Sequence, residues 1–447
     1  MKHYFICLFI LIVGAQAMEF KPTSAPVELE NGDHFAFIGN SITHQCLYTQ
    51  YVEDYYYTRF PAKRLYFHNT GVSGDFAGDV LARLDDDILI HQPKYATILI
   101  GMNDGEYRKF DHEVLENYKR DMTMILDRLK SAGIKAIPMT PTMFDLRAHE
   151  MLGEEAKIEN ASAIHYNATL SFFGMWCLQM ANDRGLGFVN MFEPLNRITR
   201  KGRDTDPEFT LIEDAVHPGP AGQLIMALAL LEDIGATPIV SDIHINVQGR
   251  SWNAIEVVGG ELIPMAKREL RFAFNAQSLP WVVPDDAQTG YELCDAGSRM
   301  SVEQFAVTGL KTGSYELLID ETIIGRYDNL QLAAGIQLQN NPKTPQYQQS
   351  LKIAEFNKKR NEEHVGELRD LWLVKKILDH VKNNPDELEP GEWEEIQEWL
   401  GIENVDEFFV EFDAAVQQEL EAAADLEAEL YGMNNPIEHI YELRLVK

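Results

Sequence analysis

Short apolar runs alternate with longer amphipathic stretches between about residues 33 and 236, and this alternation limits the fold more than any other feature. Strands that alternate with helices pair in parallel, and the helices then cover both faces of the sheet. We therefore predict an α/β fold with five strands, arranged as a three-layer α/β/α sandwich. The apolar runs are His34–Ile38, Arg64–His68, Tyr95–Ile100, Ala136–Met139 and Gly187–Met191. The helical patterns are Asp79–Ile90, His112–Leu129, Ile158–Asn182 and Pro218–Ile234.

The chain is too long for one ordinary core, and its pattern changes after the fifth run. At 447 residues it exceeds the size at which a single hydrophobic core stops growing. Residues 238–330 show a period of two, as at Leu270, Phe272 and Phe274, and predict a β-rich accessory region. Residues 345–447 predict an acidic helical C-terminal region. We interpret its acidic residues as the solvated face of docked helices, with ligand capture as the alternative.

The first residues have the three parts of a secretory signal peptide. Lys2 supplies the positive end, Tyr4–Val13 the apolar core, and Ala15-Gln16-Ala17 the small-residue cleavage site. The apolar run is too short to span a bilayer, and no later segment reads as a membrane span. We therefore predict that residues 1–17 are removed and that the mature protein is secreted or periplasmic.

A strong excess of acidic residues restricts the partners of this chain. The formal net charge is -31 at pH 7, whereas nucleic acids and anionic lipid surfaces bind basic proteins. We therefore expect neither a nucleic-acid partner nor a membrane partner.

Three cysteines remain after the predicted cleavage, namely Cys46, Cys177 and Cys294. This odd number permits at most one intramolecular disulfide and leaves at least one thiol free, without indicating which pair would join. Their spacing does not match a structural zinc site.

The first apolar run ends on Gly39, and Asn40 and Ser41 follow it directly. In open α/β sheets, ligands bind at the carboxyl ends of the strands. A serine hydroxyl placed there lies near helix N-terminal N–H groups, which can stabilise negative charge. Taken alone, the stretch favours a simpler role for Ser41 as the N-cap of the next helix, because serine is preferred at that position.

Polar residues follow other predicted strands at the same edge of the sheet. Gly74 and Asp75 come after the second run, and Asn103 comes after the third. Asp214 and His217 stand just before the last predicted helix. Each has a simpler explanation on its own, as a turn residue, a helix N-cap or a loop carboxylate. Together they supply more than such roles require.

These residues contain every part of an acyl-transfer site. A serine hydroxyl becomes a good nucleophile when a base accepts its proton, and His217 can be that base for Ser41. A carboxylate on the other ring nitrogen fixes the tautomer, and Asp214 is near enough in sequence to do so. The tetrahedral intermediate needs preorganised donors. The N–H groups of Ser41 and Gly74 and the amide of Asn103 can supply them.

The order Gly-Asn-Ser, Gly-Val-Ser-Gly-Asp, Gly-Met-Asn-Asp and Asp-x-x-His-Pro resembles the SGNH (GDSL-type) hydrolase family of serine esterases and acetylesterases. The resemblance covers about residues 33–236, with all four motifs in the family's order and spacing. It implies a flavodoxin-like sandwich and a reaction without a metal or another cofactor. It also implies the site residues: a triad of Ser41, Asp214 and His217, and an oxyanion hole of Ser41, Gly74 and Asn103.

One position departs from the family pattern, because Gly-Asp-Ser is replaced here by Gly-Asn-Ser. In the family this aspartate shapes the turn and is not the triad acid, so Asn40 leaves the implied triad intact. Asparagine makes many of the same turn hydrogen bonds but removes a negative charge beside the site. We expect an altered loop geometry or pH profile, and no loss of activity.

Other residues compete for roles at the site. His44 is close to Ser41 and is expected to line the pocket, but on the nucleophile's own helix it is poorly placed to be oriented by a carboxylate. The remaining histidines considered are interpreted as surface or core residues: His68, His149 and His165. Several aromatic residues suggest sugar stacking, but the spacing favours packing: Tyr48, Tyr51, Tyr55, Tyr56, Tyr57, Trp252 and Trp281.

The sequence therefore predicts an exported serine hydrolase that cleaves a small acyl ester, with O-acetyl groups on a carbohydrate as the favoured substrate. Its partner is then an acylated small molecule or a polysaccharide. One alternative is a lipid or thioester hydrolase. Another is a carbohydrate-binding or cell-surface interaction protein with a vestigial esterase fold. The C-terminal helices are expected to pack on the catalytic domain or to mediate self-association.

Overall fold

The computed structural model describes residues 26–156, 158–266, 268–384 and 391–446. The predicted signal peptide, residues 1–17, lies outside the described residues. None of the helices in the described ranges is long and apolar enough to cross a membrane.

A parallel sheet forms from the first four apolar runs. Its strands are β1 (His34–Gly39), β2 (Tyr66–Gly71), β3 (Tyr95–Leu99) and β4 (Lys135–Pro138), in the order β2-β1-β3-β4. All neighbouring pairs are parallel, and Phe37 of β1 lies opposite Asn69 on one side and Thr97 on the other. The predicted α/β class is confirmed.

The fifth predicted strand, Gly187–Met191, is reduced to one parallel bridge between Met139 and Val189. The reason is Thr140, whose backbone N–H bonds to the carbonyl of Val189. The Thr140 hydroxyl then accepts hydrogen bonds from the N–H groups of Met191 and Phe192. Because a side chain uses these donors, the ladder ends, and the sheet has four strands where five were predicted.

Helices cover both faces of this sheet, as expected for a three-layer sandwich. They are α1 (Ser41–His44), α2 (Leu47–Arg59), α3 (Ala77–Arg83), α4 (His112–Ser131), α5 (Leu146–Leu152), α6 (Asn160–Arg184), α7 (Phe192–Gly202) and α8 (Pro220–Asp233). Alternate residues of β1 separate the two cores. Phe35 and Phe37 pack with α2 and α8, whereas Ala36 and Ile38 pack with α3 and α4. Asp79–Ile90, predicted as one helix, is divided between α3 and a π-helical turn, Leu84–Ile88.

The accessory region is a pair of packed sheets. Its elements are β5 (Ile239–Gln248), β6 (Ser251–Val258), β7 (Gly260–Pro264), β8 (Leu270–Ala276), α9 (Gln288–Leu293), α10 (Ala296–Met300), β9 (Val302–Thr308), β10 (Ser314–Ile319), β11 (Thr322–Asp328), α11 (Asn329–Ala334) and β12 (Ile336–Gln337). One sheet has the order β12-β9-β5-β6. Its residues Ile243 and Phe305 share a core with Phe272 and Leu317 of the other sheet.

In the described part of residues 345–446 there are four α-helices, as the sequence predicted, and one strand that the sequence did not indicate. They are α12 (Pro345–Arg360), α13 (Gly366–Asn383), α14 (Glu392–Leu400), α15 (Val405–Met433) and β13 (His439–Leu445). Strand β13 lies between β10 and β8 in the sheet β11-β10-β13-β8-β7. Tyr441 and Leu443 point into the core of the accessory region. The end of the chain is therefore a central strand of a sheet formed much earlier in the sequence.

The long C-terminal helices pack on the parallel-sheet region. Leu368 and Trp372 of α13 form a core with Phe412 of α15 and Val72, which follows β2. Arg360 of α12 forms an ion pair of 3.2 Å with Glu53 of α2. The expectation that these helices pack on the region of residues 33–236 therefore agrees with the observed contacts.

Most of the aromatic residues considered for sugar stacking are core residues. All five tyrosines of α2 are buried: Tyr48, Tyr51, Tyr55, Tyr56 and Tyr57. Trp281 is fully buried and donates a hydrogen bond to the carbonyl of Tyr51. Trp252 donates to the carbonyls of Ala266 and Glu269 and packs against the accessory core. The packing interpretation is therefore confirmed for these residues.

The three cysteines outside the predicted signal peptide are all buried free thiols. Cys46 lies at the start of α2, Cys177 within α6 and Cys294 at the end of α9. Burial is the main reason that the pKa of each thiol is raised to about 12. Such thiols remain protonated at neutral pH and act as small apolar side chains.

Candidate active site

The loops at the carboxyl ends of β1, β2 and β3 meet at one edge of the parallel sheet. Close packing there requires glycine at the ends of the first two strands. A Cβ atom on Gly39 would lie 1.9 Å from Oγ1 of Thr43, and one on Gly71 would lie 2.4 Å from the backbone nitrogen of His44. Both distances are shorter than van der Waals contact. These glycines therefore allow α1, and Ser41 at its start, to lie directly on the strand ends.

Ser41 is the first residue of α1, and Asn40 is its N-cap. The side-chain oxygen of Asn40 accepts a hydrogen bond of 3.2 Å from the backbone N–H of Ile42. The alternative role for Ser41, as the N-cap, is therefore wrong. Because Asn40 satisfies the helix terminus, the Ser41 hydroxyl is available for another partner.

That partner is His217, which lies just before α8. Its Nε2 is 2.8 Å from Oγ of Ser41, and its Nδ1 is 2.6 Å from Oδ2 of Asp214. The three side chains thus form one continuous hydrogen-bonded line, in the order carboxylate, imidazole and hydroxyl. The His217 side chain is 31% exposed and that of Asp214 54% exposed, so the line reaches the protein surface.

A tight turn brings Asp214 back onto His217. Ala215, between them, has a φ of 72°, in the left-handed region that favours glycine. The other carboxylate oxygen of Asp214 accepts hydrogen bonds from the N–H groups of Val216 and His217, at 3.0 and 2.7 Å. Partial burial opposes ionisation of Asp214. The hydrogen bonds from His217 and Val216 outweigh it and lower its pKa to about 2, so the carboxylate is charged at any working pH.

Gly74 and Asn103 come from different loops, and a hydrogen bond from Asn103 to the residue after Gly74 joins the two loops. Gly74 is exposed, with a φ of 75°, a conformation that glycine adopts without strain. Asn103 is buried, and its Nδ2 donates a 3.0 Å hydrogen bond to the carbonyl of Asp75. This bond ties the Asn103 amide to the loop that contains Gly74. Two of the three residues predicted as oxyanion-hole donors, Gly74 and Asn103, therefore lie in connected loops, and their role as donors stays a prediction.

Tyr107 is a residue of the site that the sequence analysis missed. Its hydroxyl donates a 2.9 Å hydrogen bond to Oδ1 of Asn103. Burial, together with the nearby charge of Asp214, raises the pKa of Tyr107 to about 12, so the hydroxyl keeps its proton. A tyrosine that donates to Oδ1 fixes which end of the amide carries the NH₂ group. The sequence offered no periodic or motif signal for this residue.

His44 has a carboxylate partner after all, but from a distant part of the chain. Its Nε2 is 3.1 Å from Oδ1 of Asp370 in α13. Its Nδ1 accepts a 3.2 Å hydrogen bond from the backbone N–H of Ser73. The expectation that no carboxylate would orient His44 is therefore wrong, because the C-terminal helix supplies one. Both ring nitrogens are engaged away from Ser41.

The remaining histidines agree with surface or core roles. His68 stacks on His91 with ring centroids 3.9 Å apart and lies 2.8 Å from a nitrogen of His34. His149 is buried, with Nε2 2.8 Å from the carbonyl of Ile158, and His165 is exposed on α6.

Comparison with known proteins finds a family match over the part of the chain that contains Ser41, Asp214 and His217. A model of the GDSL-like lipase/acylhydrolase family matches residues 37–225. An acetylxylan esterase from Geobacillus stearothermophilus is 25% identical over 232 residues, covering 47% of this chain and 97% of that protein. The solved structure of a gut microbial diltiazem-metabolizing enzyme is 26% identical, with a TM-score of 0.76. That match covers 95% of this chain and 100% of the other.

Proposed function

Because this chain belongs, through residues 37–225, to the GDSL-like lipase/acylhydrolase (SGNH) family, we propose that it is a serine esterase that removes small acyl groups from oxygen. The favoured reaction is hydrolysis of O-acetyl groups on a carbohydrate. The protein performs it outside the cytoplasm, after removal of residues 1–17.

The hydrogen-bonded line from Asp214 through His217 to Ser41 carries this proposal. Distances of 2.6 and 2.8 Å place a base on the serine hydroxyl and an anion on the far side of that base. Nothing in the packing of a loop requires these three side chains to align in this way. The arrangement has the geometry that nucleophilic acyl transfer needs.

The reaction follows from this geometry. Ser41 Oγ attacks the acyl carbon while His217 Nε2 takes the hydroxyl proton. The negative oxygen of the tetrahedral intermediate is held by the N–H groups of Ser41 and Gly74 and by the Asn103 amide. His217 then gives its proton to the departing alcohol oxygen, which leaves an acyl group on Ser41. Water, deprotonated by His217, attacks this ester and releases the carboxylic acid and free Ser41.

Two observations support an acetyl ester as the substrate. The match to the acetylxylan esterase covers 97% of the length of that protein. The triad is also open, with His217 and Asp214 both partly exposed, so the alcohol part of a large substrate can remain in solvent. An open site accepts an ester attached to a polymer more readily than a closed one does.

A second candidate substrate is an ester of a small organic molecule. It is favoured by the diltiazem-metabolizing enzyme, because that match extends over 95% of this chain and includes the accessory and C-terminal regions. Assays should therefore compare acetylated oligosaccharides with small aryl acetates, and p-nitrophenyl esters of longer acids test the lipid alternative.

The first experiment measures acetate release by mature protein and by Ser41→Ala, with Ser171→Ala as the matched control. Ser171 is a half-buried serine of α6 whose hydroxyl donates to the carbonyl of Ala168 in the same helix. Turnover should fall by several orders of magnitude in Ser41→Ala and remain unchanged in the control. Release that survives the loss of Ser41 would refute the mechanism. Protein that binds glycan without hydrolysing any ester would instead support the vestigial alternative.

Export is tested separately, by N-terminal sequencing of the protein recovered from the periplasm or medium. A mature N-terminus directly after Ala17 is expected. An uncleaved N-terminus on protein retained in the cytoplasm would contradict export without affecting the proposed reaction.

A further inference from the structure

Helix α13 lies against the Ser73–Asp75 loop, the loop that contains Gly74. Nζ of Lys376 donates to Oδ1 of Asp75 at 2.9 Å and lies 3.4 Å from the carbonyl oxygen of Ser73. A Cβ atom built on Gly74 would be 3.6 Å from the same nitrogen. One side chain, 301 positions beyond Asp75, thus stands beside all three residues of the loop.

Asp75 is also the end of a buried series of alternating charges that returns to α13. Arg83 donates from Nε to Asp75 at 2.8 Å and from a terminal nitrogen to Asp87 on the π-helical turn. Arg369, 1% exposed, donates two hydrogen bonds to Asp87, at 2.8 and 3.0 Å. Arg369 and Lys376 are about two helical turns apart, so they extend from the same face of α13.

A second connection joins α13 to the same loop through His44. The Nδ1 atom of His44 accepts the N–H of Ser73, so the ring proton is on Nε2 and is donated to Asp370. The His44 side chain is 11% exposed. Asp370 thereby fixes the ring that binds the backbone of the loop.

The position of this loop determines both donors that do not belong to Ser41. Gly74 is part of the loop itself. Asn103 donates to the carbonyl of Asp75, so its amide moves with the loop. Oxyanion donors act through preorganisation, and a small displacement removes much of their effect.

We infer that α13 supports the active site directly. Its residues Lys376 and Asp370 are positioning residues that hold the Ser73–Asp75 loop in its oxyanion-binding conformation. This inference rests on the proposed function for its catalytic consequence. It assigns to the C-terminal region a role in the chemistry in addition to its role in packing. The match to the diltiazem-metabolizing enzyme spans nearly the whole chain, so the C-terminal region belongs to an architecture the two proteins share.

The charges explain why Lys376 is needed. Asp75 has a fully buried side chain, and its two cations are Arg83 and Lys376. Arg83 is shared with Asp87, so without Lys376 the Asp75 carboxylate keeps only part of one cation. A poorly compensated buried carboxylate takes up a proton or moves toward water, and either response weakens the attachment of the loop to Arg83.

The test compares Lys376→Met with Lys375→Met. Lys375 is the neighbouring lysine of α13, of similar exposure, and it pairs with Asp379 instead of the loop. In Lys376→Met, kcat for p-nitrophenyl acetate should fall roughly 10- to 100-fold with little change in KM, since a positioned donor contributes about 10²–10³ in kcat. Lys376→Arg should restore most of the activity. Asp370→Asn should lower kcat in the same sense.

Hydrogen exchange provides a readout that does not depend on turnover. Amides of residues 71–79 should exchange faster in Lys376→Met than in the wild type or in Lys375→Met, while the rest of the sheet keeps its protection. Equal kcat and equal loop exchange in the two methionine variants would overturn the inference. If the wild type has no Ser41-dependent activity, the proposed function fails, and loop exchange alone decides whether Lys376 holds the loop.

A loss of folding is distinguished by the melting temperature. If Lys376→Met melts far below the wild type, Lys376→Arg is compared with Lys376→Gln in place of the comparison of the two methionine variants. Full activity in the glutamine variant, which lacks the charge, would then overturn the inference.

Discussion

The Tyr107 hydroxyl donates a 2.9 Å hydrogen bond to Oδ1 of Asn103, and this contact orients the one side-chain donor of the proposed oxyanion hole. Tyr107 and Glu106 both have positive φ values, of 50° and 54°, in the left-handed region. Non-glycine residues in that region carry backbone strain. The surrounding structure therefore holds Tyr107 in place against a local cost.

We predict that Tyr107→Phe lowers kcat about tenfold with KM nearly unchanged. The substitution removes one hydrogen bond, which contributes up to about 1.5 kcal/mol, equivalent to roughly tenfold in rate, and leaves the Asn103 amide held only by the bond from Nδ2 to the carbonyl of Asp75. Steady-state kinetics with p-nitrophenyl acetate measure the effect. Tyr327→Phe, in the accessory region, is the control and should have wild-type kinetics.

A double-mutant cycle separates orientation from other effects. Asn103→Ala should reduce kcat by about 10²–10³ because it removes a donor. If Tyr107 acts through Asn103, then adding Tyr107→Phe to Asn103→Ala produces no further loss. Additive losses would show that Tyr107 affects the reaction by another route.

Asp214→Asn should reduce kcat by about 10⁴, the typical result of replacing the carboxylate of such a triad by an amide. The amide changes the favoured tautomer of His217, so Nε2 no longer accepts the Ser41 proton. Glu213→Gln is the matched control, because Glu213 is an exposed acid at the adjacent position. A similar small loss in both variants would argue that Asp214 only shapes the turn.

Asp104→Asn should stabilise the protein at pH 8 but not at pH 4. Asp104 is buried, its Oδ1 accepts the N–H of Ala77, and its Oδ2 has no hydrogen-bond partner. Burial raises the pKa of Asp104 from 3.8 to about 7, so the folded state binds its proton more tightly than the unfolded state. Native stability is therefore lost as the pH rises from about 4 to 7, by roughly 4 kcal/mol at most.

Thermal unfolding across this pH range checks the prediction, with the exposed Asp204→Asn as control. The difference in stability between Asp104→Asn and the wild type should grow with pH and level off above pH 7. A constant difference would mean that Asp104 is ionised in the folded protein throughout.

Arg360→Ala should destabilise the protein by about 3–5 kcal/mol, because it leaves buried carboxylates without their cation. Arg360 is 3.2 Å from Oε2 of Glu53 on α2 and 3.8 Å from Oε1 of Glu427 on α15. Urea unfolding measures the loss. Lys359→Ala, an exposed neighbour that pairs with Glu363, should change stability by less than about 1 kcal/mol. Equal stability of the two variants would contradict the role of Arg360 as an anchor of the C-terminal helices.

The parts of the fold that the sequence indicated are those encoded by near neighbours. Four of the five predicted strands and the long helices follow from apolar periodicity. The fifth strand did not form because the side chain of Thr140, 51 positions before Met191, accepts hydrogen bonds from the backbone N–H groups of Met191 and Phe192. No pattern within Gly187–Met191 could show this.

The same contrast holds at the site. Ser41, Asp214 and His217 stand in short motifs whose spacing suggested their chemistry. In the structure, His217 is 2.8 Å from Oγ of Ser41 and 2.6 Å from Oδ2 of Asp214. Tyr107 was not indicated, because its role depends on where one hydroxyl points. His44 was misjudged, since its carboxylate partner is 326 positions away.

By itself the sequence determined the α/β alternation, the change to a β-rich pattern, and the residues of the proposed triad, because each is written in the spacing of adjacent residues. Only the tertiary structure decided that β13 enters the middle of a sheet and that α13 reaches the Gly74 loop. Contacts such as that of Lys376 with Asp75 join distant parts of the chain, and complementary packing and charge select them. Local periodicity specifies which face of an element is buried, but not which partner covers it.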